Sequence, residues 1–149
     1  MTLGSAATLG KNIMTTAKPN MKFWVLGWLG LIWNLIAFTQ FLSHVDPRAI
    51  AQSPEGLQDF IATRPTWATV IFGIAVTAGV VGCVLMLLRR KVSERVFLLA
   101  IALTAVTIAQ ILSMVGPSWI IFERTGIWLF LLVVLWFTAY QARLSGWLR

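Results

Sequence analysis

Few side chains in this sequence could act as an acid, a base or a metal ligand. His44 is the only histidine in 149 residues, and the nearest acids that follow it are Asp46, Glu55 and Asp59. A histidine with carboxylates could transfer protons, and a histidine alone could ligate a haem iron. However, no second ligand accompanies His44, and the three acids lie in a polar loop where such side chains usually face water. We therefore expect no catalytic residues, no metal site and no cofactor.

Four uncharged polar residues lie inside otherwise apolar stretches, namely Asn34, Gln40, Thr107 and Gln110. An amide without a partner in hydrocarbon is costly, so each should find a hydrogen bond. Thr107 and Gln110 share one face of a helix. We predict that the four form a polar membrane seam between the first and third apolar stretches. The seam has two interpretations: hydrogen bonds that fix the packing, or contacts to a solute.

The apolar stretches themselves cover residues 23–42, 66–88, 96–115 and 126–142. Each is near the roughly 20 residues that a helix needs to cross a bilayer. The mean hydropathy is +0.83 and only 11% of residues are charged, which excludes a soluble globular domain. We predict an all-α integral membrane four-helix bundle at residues 23–149, preceded by a flexible cytoplasmic tail at residues 1–22.

The distribution of basic residues predicts the orientation of this bundle. With the N-terminus in the cytoplasm, nine of the 12 lysines and arginines lie inside, as the positive-inside rule requires. Both termini are therefore predicted to be cytoplasmic. The inside residues are Lys11, Lys18, Lys22, Arg89, Arg90, Lys91, Arg95, Arg143 and Arg149, and the outside ones are Arg48, Arg64 and Arg124.

The first outer loop contains signals for a short helix. Asp46-Pro47 and Ser53-Pro54 each place a capping residue before a proline suited to the first helical position. Apolar residues then recur on one face, which predicts an interfacial helix at about residues 54–62. Such a helix would lie flat on the outer membrane surface or cap the bundle.

Small residues mark the faces where helices should pack closely. In the first stretch they are Gly27 and Gly30, and in the second they are Ala75, Gly79 and Gly82. Cys83 belongs to the same face of the second stretch, and as the single cysteine it cannot form an intramolecular disulfide.

The net charge of +7 and the pI near 10.9 are those of many nucleic-acid-binding proteins, yet here the basic residues flank the apolar stretches. We therefore predict no nucleic-acid partner. Arg89, Arg90 and Lys91 are predicted to face anionic lipid headgroups at the cytoplasmic surface.

A resemblance to a known family covers most of the chain from about residue 22. The segments that carry it are WNLIAFTQF at 33–41, PTW at 65–67, IAV at 74–76, Gly79, Gly82 and LLRR at 87–90. They resemble an uncharacterised family of small four-span proteins of the bacterial inner membrane, to which the label "sugar transporter" is sometimes attached. Members typically have glycine at the position of Ala37, an acid at that of Gln40 and tyrosine at that of Phe41. The resemblance implies a multi-pass protein of the bacterial inner (cytoplasmic) membrane.

From these observations we expect a non-catalytic membrane protein. Small-residue helix faces, eight tryptophans and the lack of reactive groups favour an accessory or interaction subunit of a larger inner-membrane assembly. Its partners would be membrane lipids and either another protein or further copies of the chain. The alternative is a small-solute transporter or channel that acts as an oligomer. The absence of titratable residues from the centres of the apolar stretches argues against a proton relay.

Overall fold

The computed structural model describes residues 19–116 and 119–148, with side chains for all of these except 115 and 119–125. The described residues form six helices and no strands. The helices are α1 (Met21–Val45), α2 (Pro47–Ala51), α3 (Glu55–Thr63), α4 (Thr66–Leu87), α5 (Val92–Val115) and α6 (Trp119–Leu144).

The four long helices pack as an antiparallel bundle. α4 lies between α1 and α5, α6 packs against α5, and a looser contact between α6 and α1 completes the ring. The start of α1 and the end of the described chain meet at one end of the bundle, where the rings of Phe23 and Trp147 are 6.0 Å apart. The largest side chains of the shared core are those of Phe23, Met86, Phe97, Leu132, Leu135 and Leu148.

All four long helices are long and apolar enough to cross a membrane. The predicted all-α four-helix bundle is thus confirmed, and the chain is a multi-pass membrane protein. α1 begins at Met21, so the last residues assigned to the N-terminal tail belong to the first helix. Residues 1–18 of that tail, with Lys11 and Lys18, lie outside the described part, as does Arg149.

Local chemistry explains where α1 ends and α2 begins. Asp46 precedes a proline, which disfavours helical backbone, and its own conformation is extended. Its carboxylate accepts a hydrogen bond from the Arg48 amide at 3.0 Å, so it caps α2 as the sequence indicates. The helix α2 itself was not predicted from the sequence.

The predicted interfacial helix corresponds to α3, which spans Glu55–Thr63. Its capping was predicted incorrectly, because the Ser53 hydroxyl donates to the Ala49 carbonyl at 2.9 Å and does not cap α3. Pro54 occupies the N-cap position instead. α3 packs against α2, and α2 packs against α1.

Candidate functional site

The most buried amide side chain among the described residues is that of Asn34, which is 1% exposed and lies on the face of α1 toward α4. Its amide nitrogen donates to the Gly30 carbonyl at 2.8 Å and lies 3.7 Å from the Cys83 sulfur. Its oxygen has no hydrogen-bond partner among the described residues. This oxygen lies against Gly79 and takes the space that a β-carbon there would occupy. The contact is available only because residue 79 has no side chain.

The other predicted packing residues are also buried, and the glycines accept side chains from facing helices. A β-carbon on Gly30 would lie 2.5 Å from a methyl group of Leu135, and one on Gly82 would lie 2.8 Å from the Phe97 ring. Gly27 lies in the same way against the side chain of Leu87. These glycines therefore act as notches that receive large side chains.

Ala75, the remaining predicted packing residue, is 2% exposed. It belongs to the buried face of α4 together with Gly79 and Gly82. Since α4 lies between α1 and α5 and also touches α6, small residues on this helix let three neighbours approach closely.

Two polar residues of α5, Thr107 and Gln110, are buried, and their donors bond within their own helix. The Thr107 hydroxyl donates to the Leu103 carbonyl at 3.0 Å, and the Gln110 amide contacts the Met114 sulfur. Thr104 is 3% exposed, and its hydroxyl has no partner among the described residues. Local bonds of this kind satisfy a donor without joining two helices.

The structure does not bring the predicted seam together. Asn34 contacts α4, and no hydrogen bond in the described part of the chain links it to Thr107 or Gln110. The reason is the helix order, because α4 separates α1 from α5. Gln40 is exposed and lines a small cavity of about 120 Å³ beside Trp33 and Trp128. The seam is therefore replaced by one central amide on α1 and a separate polar stripe on α5.

An aromatic cluster that the sequence did not reveal lies at the end of the bundle opposite the basic turn between α4 and α5. Phe72 lies at its centre, 5.7 Å from the Phe41 ring and 5.5 Å from that of Trp128. The His44 ring stacks on Phe72 at 6.2 Å, and the Arg64 guanidinium lies 5.1 Å from the Phe72 centroid. Such cation–π contact compensates partly for lost water. The sequence predicts that these residues lie at the same end of the bundle, but their contact depends on three segments that are separate in the sequence.

Burial at this cluster lowers the pKa of Arg64 from its ordinary value, although a guanidinium stays charged in proteins. The acids Asp46, Glu55 and Asp59 are exposed and form no ion pair with His44 among the described side chains. The described residues contain no group of three or more metal-ligating side chains. The contacts shown at this end of the bundle are aromatic packing and one cation–π contact.

At the opposite, basic end, Arg89 was predicted to face lipid headgroups but contacts the protein instead. Its guanidinium donates to the Trp147 carbonyl at 2.7 Å, which ties the turn between α4 and α5 to the last described residues. Its φ of 59° is unusual for a residue other than glycine. Arg90 and Lys91 are exposed and available to headgroups.

The described side chains contain one ion pair, between Glu94 on α5 and Arg143 on α6. The Glu94 carboxylate lies 2.9 Å from the Arg143 guanidinium, and its side chain is only 11% exposed. Arg143 also lies 5.7 Å from the Tyr140 ring. This pair was not predicted from the sequence, because 49 residues separate Glu94 from Arg143.

Protein-family models, curated proteins and solved structures gave no match.

Proposed function

We propose that this chain is a non-catalytic membrane protein that acts by association, as an accessory or interaction subunit of a larger assembly. The main observation in support of this proposal is the close packing of side chains in the interior of the bundle. Its centre is filled by interlocking side chains, and its most buried amide, Asn34, lies directly against Gly79. A protein that performs acid-base or nucleophilic chemistry needs a pocket with a reactive group. In the described part of the chain, packed side chains fill the position that such a pocket would occupy.

The outward face of α1 supports association with another protein. Trp24 and Trp28 point away from the bundle, and Trp28 is 56% exposed. Ile32 and Leu35 continue this exposed face along the helix. Tryptophan anchors suit both a membrane interface and a protein contact, so this face can serve either role in the same membrane.

The charge distribution supports a cytoplasmic position for the basic end. Lys22, Arg89, Arg90, Lys91 and Arg143 belong to the end of the bundle where the first helix starts and the last one finishes. By the positive-inside rule, both termini would be in the cytoplasm. The sequence resemblance favours a bacterial inner membrane.

One observation favours transport or channel activity by an oligomer as a second candidate. Three buried polar atoms on the inner faces, Asn34 Oδ1, Thr104 Oγ1 and Gln110 Oε1, have no partner among the described residues. Unpaired buried acceptors are rare in proteins, and a solute or water could satisfy them. If this candidate holds, Asn34→Ala and Gln110→Ala should each reduce solute flux into proteoliposomes. Unchanged flux in both would exclude these groups from any path.

Site-specific photo-crosslinking in intact cells tests the association proposal. A photoreactive amino acid replaces Trp28 in one variant and Leu99 in the other. Leu99 is a matched control because it is 50% exposed and lies on α5, diagonally across the bundle from α1. We expect residue 28 to give an adduct with one defined membrane protein or with a second copy of the chain, and residue 99 to give none. Only lipid adducts from residue 28 would contradict the proposal.

A further inference from the structure

A continuous apolar groove runs along the bundle between α1 and α6, where the ring of helices is least tightly closed. Its first part has a volume of about 550 Å³ and begins at the basic end, beside Lys22 and Trp147. Its second part has a volume of about 250 Å³ and reaches Trp33. Leu26 and Val134 line both parts. The two cavities are therefore one track along the lipid-facing side of the protein.

The length of the groove matches the thickness of the hydrocarbon region of one leaflet. From Lys22 to Trp33 α1 advances 11 residues, or roughly 16 Å at 1.5 Å per residue. Half of the hydrocarbon core of a bilayer is about 15 Å thick. An acyl chain that enters from the basic surface would thus lie in the groove over the depth of its own leaflet.

The groove is too shallow to hold another helix. Leu135 of α6 fills the notch at Gly30 of α1, so the two helices meet at the bottom of the groove. A helix with its side chains is about 10–12 Å across, whereas the first part of the groove holds only about 550 Å³. A flexible hydrocarbon chain fits such a space without separating α1 from α6.

Polar groups are concentrated at the basic mouth. Lys22, Asn20 and Gln141 line it, while the second part of the groove is lined almost wholly by apolar side chains such as Leu29 and Leu131. An ammonium group beside two amides can bind a phosphate, and a basic surface attracts anionic lipids. We propose that the groove binds one anionic phospholipid, with its phosphate at Lys22 and an acyl chain along Leu26 and Val134.

Native mass spectrometry tests this site with the full chain in nanodiscs of equal parts phosphatidylglycerol and phosphatidylcholine. We expect the wild type to retain one phosphatidylglycerol when released from the nanodisc. Lys22→Gln should lower the ratio of retained phosphatidylglycerol to phosphatidylcholine about fivefold, since one lysine in contact with an anionic headgroup contributes about 1 kcal/mol. Lys91→Gln is the control, because Lys91 is exposed at the same end but does not line the groove, so it does not contact the lipid that is retained there.

A second variant tests the acyl-chain part of the site. Val134→Phe fills the groove and should reduce retention of both lipids, and thermal unfolding shows whether the variant is folded. If Val134→Phe does not fold, the comparison of Lys22→Gln with Lys91→Gln still tests whether the groove binds an anionic phospholipid. Equal retention of the two lipids by the wild type, or an equal effect of the two lysine substitutions, would overturn the proposal. A protein segment crosslinked into the groove at Leu26 would also overturn it.

Discussion

Gly79→Ala should lower the free energy of unfolding of the bundle by about 1–3 kcal/mol, as overpacked cores do. The Asn34 carboxamide oxygen occupies the space that the new methyl group needs. Asn34 cannot turn away without loss of the hydrogen bond from its amide to the Gly30 carbonyl. Denaturant unfolding in detergent micelles, followed by the loss of helical circular dichroism, measures the change.

A double-mutant cycle shows whether the clash with Asn34 is the cause. Asn34→Ala removes the amide, so Gly79→Ala should cost at least about 1 kcal/mol less in that background. Gly126→Ala is the matched control in another long helix, because a β-carbon there meets no atom of the described residues within 4 Å. Additive effects of the two substitutions would show that Asn34 and Gly79 do not pack as described.

Arg143→Ala should destabilise the protein by about 2 kcal/mol, which is below the range for a fully buried pair because Arg143 is partly exposed. The substitution leaves the Glu94 carboxylate, with 11% of its side chain exposed, without its partner. Glu94→Gln should cost less, since the Arg143 side chain is 44% exposed and water can solvate its guanidinium. The same unfolding assay applies.

Combining the two substitutions separates the ion pair from other contacts of Arg143. In the Glu94→Gln background, Arg143→Ala should lose most of its effect, apart from the loss of the contact with Tyr140. Arg90→Ala serves as the control for removal of an exposed positive charge at this end. If Arg143→Ala destabilises both backgrounds equally, the ion pair does not hold α5 to α6.

The sequence was sufficient to predict five of the six described helices, all except α2. Helices of membrane-spanning length follow from apolar runs near 20 residues, and the four runs correspond to α1, α4, α5 and α6. The short helix α3 followed from a proline and an apolar face within one local segment. These features depend on neighbours along the chain, so no knowledge of the packing was needed.

Helix pairing could not be read from the sequence in the same way. Asn34 was expected to face the third span, but it contacts Gly79 and Cys83 of α4. Periodicity shows which side of a helix is buried and does not show which neighbour covers it. The contact of Arg89 with Trp147 and the pair of Glu94 with Arg143 also join distant segments. For this reason the small-residue packing faces could be predicted from the sequence, whereas the groove between α1 and α6 could not.

The most direct test of the account is the mass and composition of the protein purified from its native membrane in a mild detergent. Quantitative mass spectrometry of the purified material gives the stoichiometry of every protein that remains bound. We expect a complex in which this chain is present at a fixed ratio to at least one other membrane protein or to further copies of itself. Recovery of a stable monomer with no bound protein would contradict a function in association.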